Sequence, residues 1–287
     1  MARAAEQIVP KRDLHARRIK FHYSPPARDR HYVQGDLVMS HVVSMLSAMF
    51  PEGEDFFVRS VRAHAHQIAD PELARQVRGF VGQEVTHGRE HRSINETLAE
   101  MGFRTRGMDR YIHHSLALIE RIWSPRVCLA ITAALEHYTA TLAETLLSDP
   151  AAQELLGDNE VRSLLLWHAL EESEHKAVAF DVYQQVYGDE TIRIRSMQLI
   201  SIGFWVSLIA WTAYSLAWDR ATYHPTRLVR SLARLRHSPF LKRAVLRRLR
   251  RYDQRGFHPD DFDAAELLAR WRTELFGEDG MLRDHLR

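Results

Sequence analysis

The spacing of apolar and polar positions along the chain predicts helices. No stretch alternates apolar and polar residues long enough to read as a sheet strand, and glycine and proline are scarce, at 13 and 10. Local punctuation sets the helix ends. Asp70-Pro71 reads as an N-cap followed by proline at the first helical position, and the helix it opens runs to about Met101, where Gly102 supplies a stop. Ser124-Pro125 gives the same start, with an end near Ser148-Asp149-Pro150. Another helix spans roughly 159 to 187 and stops at Gly188. Residues 36 to 68 read as helical but interrupted at Pro51-Glu52-Gly53. Four long helices are the minimum, with shorter ones near 108–122 and 151–157.

Composition makes this a folded chain. Hydrophobic residues at 45% and charged residues at 26% of 287 allow one large domain, or a core domain with an appendage. The only cysteine, Cys128, excludes an intramolecular disulfide and a cysteine-based zinc site, which fits a reducing compartment. The first twenty residues contain no apolar run of signal-peptide length, so secretion is not expected and a cytoplasmic location is.

The net charge of +2 averages over strongly unlike segments. Residues 1–35 are basic, contain Pro25-Pro26 and read as a loosely packed arm; 36–195 hold the long helices. Residues 196–218 carry no charge across 23 positions. Residues 219–287 form a charged helical extension: 220–255 contain 12 Lys or Arg against one acid, Asp253, and 256–287 contain 8 acids against 4 Arg.

Seventeen histidines direct attention to metal chemistry. Glu84 and His87, in QEVTHGREH, are three apart and share a helical face; His91 lies over the same stripe. Glu172 and His175, in WHALEESEH, repeat that spacing on a second helix, with His168 one turn before Glu172. Leu164, Trp167 and Val178 nearby imply that this stripe faces inward. A dinuclear site also needs bridging carboxylates from the remaining helices. Glu136 sits in the apolar, small-residue stretch AALEHYTA, and Glu54 precedes a Phe pair in FPEGEDFF. The order Glu, E-x-x-H, Glu, E-x-x-H is the ligand plan of ferritin-like carboxylate bundles that hold two metals. A single E-x-x-H is usually a solvated helix face. Two of them, with a carboxylate before and between, point instead to a shared core, where unpartnered carboxylates would be costly without cations. Around this set, His91 is an additional ligand, a donor behind the ligands or a surface residue; Glu171 and His137 point about 100° away from the ligands they adjoin, so Glu171 meets solvent or a group behind the ligands; His64 and His66 read as surface or structural residues; and Asp181, six residues after His175, is a candidate to hold a ligand histidine.

The segments FPEGEDFF, FVGQEVTHGREH and WHALEESEHKAVAFDVY resemble a bacterial family described as predicted metal-dependent hydrolases, over roughly residues 35 to 220. The last ligand helix is also similar to that of the p-aminobenzoate N-oxygenases, ferritin-like di-iron enzymes with the pattern H-x-x-x-E-x-x-H. Here that pattern is His168, Glu172 and His175. This second resemblance implies that His168 is a seventh ligand and favours iron for the two metals, with manganese or zinc still open.

The expected fold is therefore all-α, a ferritin-like four-helix bundle with a di-metal core, an apolar fifth helix and a basic helical extension. Three functions fit. The first is a di-iron, O2-dependent oxidoreductase of hydroxylase, desaturase or N-oxygenase type. It would take electrons from an external donor, since no G-x-G-x-x-G motif appears. The second is a di-metal hydrolase of an ester or phosphate; the third is a non-catalytic metal-binding protein.

The uncharged helix is long enough to cross a bilayer, which needs ~20 apolar residues, and suggests a lipophilic substrate. Gln198, Ser201, Thr212 and Ser215 fall on one side of it with Ser207 opposite, so Ile200, Phe204, Leu208 and Trp211 could face lipid or a partner subunit, as in a homodimer. Burial as a fifth bundle helix is equally open. The basic block suits anionic headgroups on the inner face of a membrane, reached through 196–255. Nucleic acid is not expected, because aromatic residues for base stacking are sparse there.

Overall fold

A computed structural model describes residues 12–23, 30–157 and 159–287. Eleven α-helices are found among them: α1 Leu37–Arg62, α2 Pro71–Glu100, α3 Thr105–Ile122, α4 Pro125–Ser148, α5 Pro150–Leu156, α6 Glu160–His175, α7 Val178–Val186, α8 Glu190–Ala217, α9 Pro225–Leu235, α10 Arg243–Arg251 and α11 Ala265–Phe276. The described residues contain one isolated β-bridge, Ile19 to Leu286, and no longer strand. The fold is an all-α helical bundle, as its apolar spacing predicts. Helix α1 packs most extensively on α2, and α4 on α6; α1 and α4 also touch each other and α8. The core between them is aliphatic and aromatic, with Met45, Phe56, Phe80, Leu129 and Trp167 fully buried.

The helix starts follow their caps. The Asp70 carboxylate accepts from the N–H groups of Glu72 and Leu73, and Asp36 accepts from Met39 N–H. Asn159 does the same for Arg162 at the head of α6. Helix α2 ends just before Gly102, whose φ is +94°.

Three expectations are corrected. Helix α1 is not interrupted at Pro51-Glu52-Gly53 but runs straight through Pro51. Proline withdraws the N–H that the Ser47 carbonyl would have accepted. The side-chain amide of Asn95, on α2, donates to that carbonyl at 3.1 Å instead. The helix expected over 159–187 is two, α6 and α7, divided at Lys176-Ala177. At the break Lys176 turns inward and donates to Glu144 on α4, at 3.0 Å, and to the Phe262 carbonyl. Third, the described parts of 1–35 are not loosely packed: Leu14, Ile19, Phe21, His31 and Val33 are buried. Gly79 lets this segment lie on α2, since a Cβ there would stand 2.6 Å from the Leu14 backbone oxygen. Residues 1–11 and 24–29, with Pro25-Pro26 and most of the stretch searched for a signal peptide, lie outside the described residues.

Helix α8 turns Thr212 and Ser215 of its expected polar edge inward, but Gln198 of that edge is exposed and Ser207, expected opposite, is buried. Ser207, Thr212 and Ser215 are buried together with Phe204 and Leu208. Ser207 hydrogen-bonds the Tyr111 hydroxyl at 3.0 Å, and Ser215 the His41 ring at 2.8 Å. Leu199, Ile202, Val206, Ile209, Tyr214 and Trp218 are exposed instead. This helix is long and apolar enough to cross a membrane by length and composition.

Candidate metal centre

Helix α1 contributes Glu54, α2 contributes Glu84, His87 and His91, α4 contributes Glu136, and α6 contributes His168, Glu171, Glu172 and His175. The structure brings all of these into one buried cluster, each with at most 3% of its surface exposed. Groups drawn from it, such as Glu54, Glu84 and His87, or Glu84, Glu172 and His175, hold their ligand atoms within 4.8 Å of one another. His87 Nδ1 lies 3.7 Å from Glu84 and 3.6 Å from Glu172; His175 Nε2 lies 3.0 Å from Glu84 and 3.4 Å from Glu136. His168 Nε2 lies 2.9 Å from Glu172 and 3.7 Å from Glu54.

Gly88 explains how Glu54 gets so close to α2. A Cβ at that position would stand 3.1 Å from Glu54 Oε2. Glycine inside a helix costs about 0.5–1 kcal/mol relative to alanine, and here it makes room for a carboxylate.

The outward nitrogen of each histidine is held by a hydrogen bond that fixes the inward one. His87 donates from Nε2 to Glu171 at 3.0 Å, and Glu171 is held by Arg17 at 2.8 Å. Gln83 donates to Glu174 at 3.0 Å, which turns its carbonyl oxygen to accept from His175 Nδ1 at 3.0 Å. The third chain is longer. Asn95 spends its N–H on the Ser47 carbonyl, so its oxygen accepts the Ser47 hydroxyl proton at 2.8 Å. Ser47 Oγ must then accept from His91 Nδ1, at 2.8 Å, and His91 Nε2 from His168 Nδ1, at 2.7 Å. In each case the nitrogen that faces the carboxylates is the one left to coordinate.

Carboxylate oxygens and imidazole nitrogens therefore face one another in a buried space, where His87 and His175, both raised above their ordinary values, hold protons that a cation would displace. Both oxygens of Glu54, Glu84 and Glu136, Oε2 of Glu172, Nδ1 of His87 and Nε2 of His175 are buried without a hydrogen bond. Such groups are expensive unless a cation joins them. The donor set of carboxylate and neutral imidazole is that of iron, manganese or zinc sites. The residues fit a metal centre.

The fields within the cluster are strong. Burial first, and then the charge of Glu84, pushes the Glu54 carboxyl well above its usual range. Burial and the charge of Glu172 push Glu136 up to about 8. Burial lowers His87, but the hydrogen bonds to Glu171 and Glu84 outweigh it and raise the ring to about 10. Burial holds His91 well below its usual value, helped by the neighbouring His168 and His87, so it stays neutral.

The remaining expected residues are placed elsewhere. Of the two places expected for Glu171, solvent or a group behind the ligands, the structure has the second: it is fully buried and accepts from His87. Asp181 does not partner His175: its carboxylate takes Arg12 at 3.0 Å and His258 at 2.7 Å, and Gln83 fills the role expected of it. His137 is buried behind Glu136 and donates to the Arg248 carbonyl. His64 is buried between the Ser60 carbonyl and the Tyr187 hydroxyl, whereas His66 is exposed. Sequence reasoning missed Arg17, Ser47, Gln83, Asn95 and Glu174. A second buried group, His31, His41 and Asp219, has its facing nitrogens and carboxylate joined by hydrogen bonds of 2.8 and 3.0 Å. It ties the head of α1 to the end of α8.

One face of the cluster opens on a cavity of about 460 Å³. His168 and Glu172 stand at its inner end beside Phe50, whose ring packs 4.7 Å from His168 and 4.6 Å from His91. Its walls are aliphatic and aromatic side chains of α1, α4 and α8. Its rim carries the exposed Ile209, Leu232 and Leu241.

A family model described as predicted metal-dependent hydrolase matches residues 15–263, most of the chain. No curated protein and no solved structure matches it.

Proposed function

The chain belongs to the predicted metal-dependent hydrolase family, and from that premise we propose that it is a two-metal hydrolase of a lipophilic ester. The observation that carries the reading is the set of inward oxygens and nitrogens on buried carboxylates and imidazoles. Glu54, Glu84, His87, Glu136, His168, Glu172 and His175 would hold the two ions. A bound metal pair supplies Lewis acidity that polarises a carbonyl and makes water a nucleophile at neutral pH. The chain's own part is to keep three imidazoles in the coordinating tautomer, to exclude bulk water, and to present His168 and Glu172 to whatever fills the cavity. Net hydrolysis adds the oxygen of one water to the acyl carbon and breaks its bond to the alkoxy oxygen. One proton of that water goes to the alcohol, and the acid forms with the other.

A second reading, an O2-dependent di-iron oxidoreductase with an external electron donor, is favoured by one feature, the third imidazole at His168 one turn before Glu172. One preparation separates the two. The protein is purified anaerobically, its metal content is measured, and it is then assayed on long-chain esters and exposed to O2. Two ions with ester cleavage and no spectral change on O2 are expected. A visible band that appears with O2, without ester cleavage, would transfer the assignment to the oxidoreductase. Glu84→Ala and Glu172→Ala should each remove most of the metal; unchanged metal content in both would sink the centre itself.

We further propose that the exposed faces of α8 and α9 rest on an anionic membrane. Ile202, Val206 and Ile209 stand out on α8, and Val229 and Leu232 on α9 beside the exposed Arg230 and Arg234. An apolar strip flanked by arginines matches acyl chains edged by negative headgroups.

A further inference from the structure

The cavity that ends at the candidate centre has a shape and chemistry of its own. It holds about 460 Å³, within the range of small-molecule sites. Leu46, Leu142, Leu146, Phe204 and Leu208 make its walls. The hydroxyls of Ser47 and Thr139 on this wall are taken by hydrogen bonds within the protein, whereas that of Thr212, on α8, is buried there without a hydrogen bond. Its charged or titratable lining is confined to His168 and Glu172, at the inner end. The opposite end is the rim of Ile209, Leu232 and Leu241, on the flank that carries the exposed faces of α8 and α9.

An occupant must therefore be apolar along its length and polar at the end that reaches His168 and Glu172. We propose that the cavity binds one long unbranched aliphatic chain, with the acyl carbon or other functional group at the inner end and the chain running back to the rim. Except beside the Thr212 hydroxyl, a polar group partway along the chain would be stripped of water without a partner. A short ester would leave the aliphatic wall facing water. The assignment deepens the metal-dependent reading above and rests on it for the role of the inner end.

The test is a binding measurement on the full-length protein, with and without metal. A fluorescent undecanoyl probe is bound and then displaced by hexanol, decanol and tetradecanol. Affinity should rise about fourfold with each added methylene while the cavity fills, in metal-free protein as well. Ala143→Trp, inside the cavity, should cut tetradecanol binding at least tenfold. Ala213→Trp, at an exposed lining position where folding is not at stake, should weaken it in the same direction. Equal affinity for hexanol and tetradecanol, or unchanged binding in both variants, would overturn the assignment.

Tetradecanoate tests the orientation. Its carboxylate should bind at least tenfold more tightly after metal loading, while tetradecanol changes little. Equal binding of tetradecanoate to both forms would place the head at the rim and overturn the proposed direction. Metal content, measured on the same samples, reports separately on the centre, so a protein that binds chains but no metal would remove the hydrolase and leave the cavity.

Discussion

A single proton position decides whether His168 can face the carboxylates with a lone pair, and that position is set three residues away. Asn95, Ser47 and His91 pass one hydrogen-bond direction inward, beginning at the carbonyl that Pro51 leaves without its helical donor. His91 is a positioning residue in this chain. Replacing it with alanine should weaken metal binding about 10- to 100-fold, the usual cost of losing such a partner. His91→Gln keeps an acceptor for His168 Nδ1 and should recover part of the loss; equal loss in both variants would argue for a ligand role at His91. The carboxyls give a pH signature. Glu136 titrates near 8 when the metal is absent, against an ordinary 4.5. Across that window the native metal-free protein holds a proton that the unfolded chain gives up. Up to about pH 6.5 the buried neutral histidines His41, His91, His137 and His168 act in the opposite direction; from about 6.5 to about 8 stability should fall as pH rises, with Glu54 and His87, also raised, acting the same way. The urea midpoint of chelator-treated protein should drop over this range, and metal binding should tighten over it as cations displace protons. A midpoint that rises instead would contradict the protonation of these carboxyls in the metal-free core.

At the scale of the helix, what could be read from the sequence was what repeats along one face. Two E-x-x-H pairs need only the three-residue spacing, and Asp70-Pro71 and Gly102 are local signals, so α2 and the clustering of its Glu84 and His87 with Glu172 and His175 were legible. The partners of the histidines were not. Arg17 reaches Glu171 across 154 residues and Gln83 reaches His175 across 92, and no periodicity marks either. Pro51 misled because its helix-breaking effect is real locally and is answered only from α2. The division of α6 from α7 has neither glycine nor proline to announce it. On α8 the polar edge was visible, but the side that faces the core is decided by Tyr111 and His41 on other helices. Gly88 offers a test at this scale. Gly88→Ala adds about 0.5–1 kcal/mol of helix propensity, set against a methyl 3.1 Å from Glu54 Oε2 and the Arg92 guanidinium. It should weaken metal binding, because its methyl crowds Glu54. The gap in melting temperature between metal-loaded and metal-free forms should therefore narrow. A gap of wild-type size would mean that Glu54 has room to spare.

Across the whole molecule, both ends of the described chain close over the back of the centre. Lys20 N–H donates to the His285 carbonyl and Arg287 N–H to the Arg18 carbonyl, and Arg17 and Arg272 meet on Glu174. The charged extension is thus partly structural, with Trp271 donating to the Leu147 carbonyl at the end of α4. The opposite flank, α8 with α9, is where apolar side chains face outward. Flotation with vesicles rich in anionic lipid should carry the protein upward. Ile202→Glu with Val206→Glu should abolish this while leaving metal content unchanged, and high salt should weaken it. A protein that stays at the bottom of the gradient with anionic vesicles would remove the membrane from the account.

The burial of the ligands has a kinetic side. With none of the seven more than 3% exposed, and an aliphatic passage leading to the His168–Glu172 face, a hydrated ion has no wet route inward through that passage. On the proposed ligand set, loading from that side would coincide with chain folding or await an opening of the bundle. Once in place, the ions would be held by the slowness of that opening as much as by affinity. A chelator that outcompetes the site on paper would need hours, or a little denaturant, to empty it. Protein made in a metal-poor cell would stay apo long after metal is supplied.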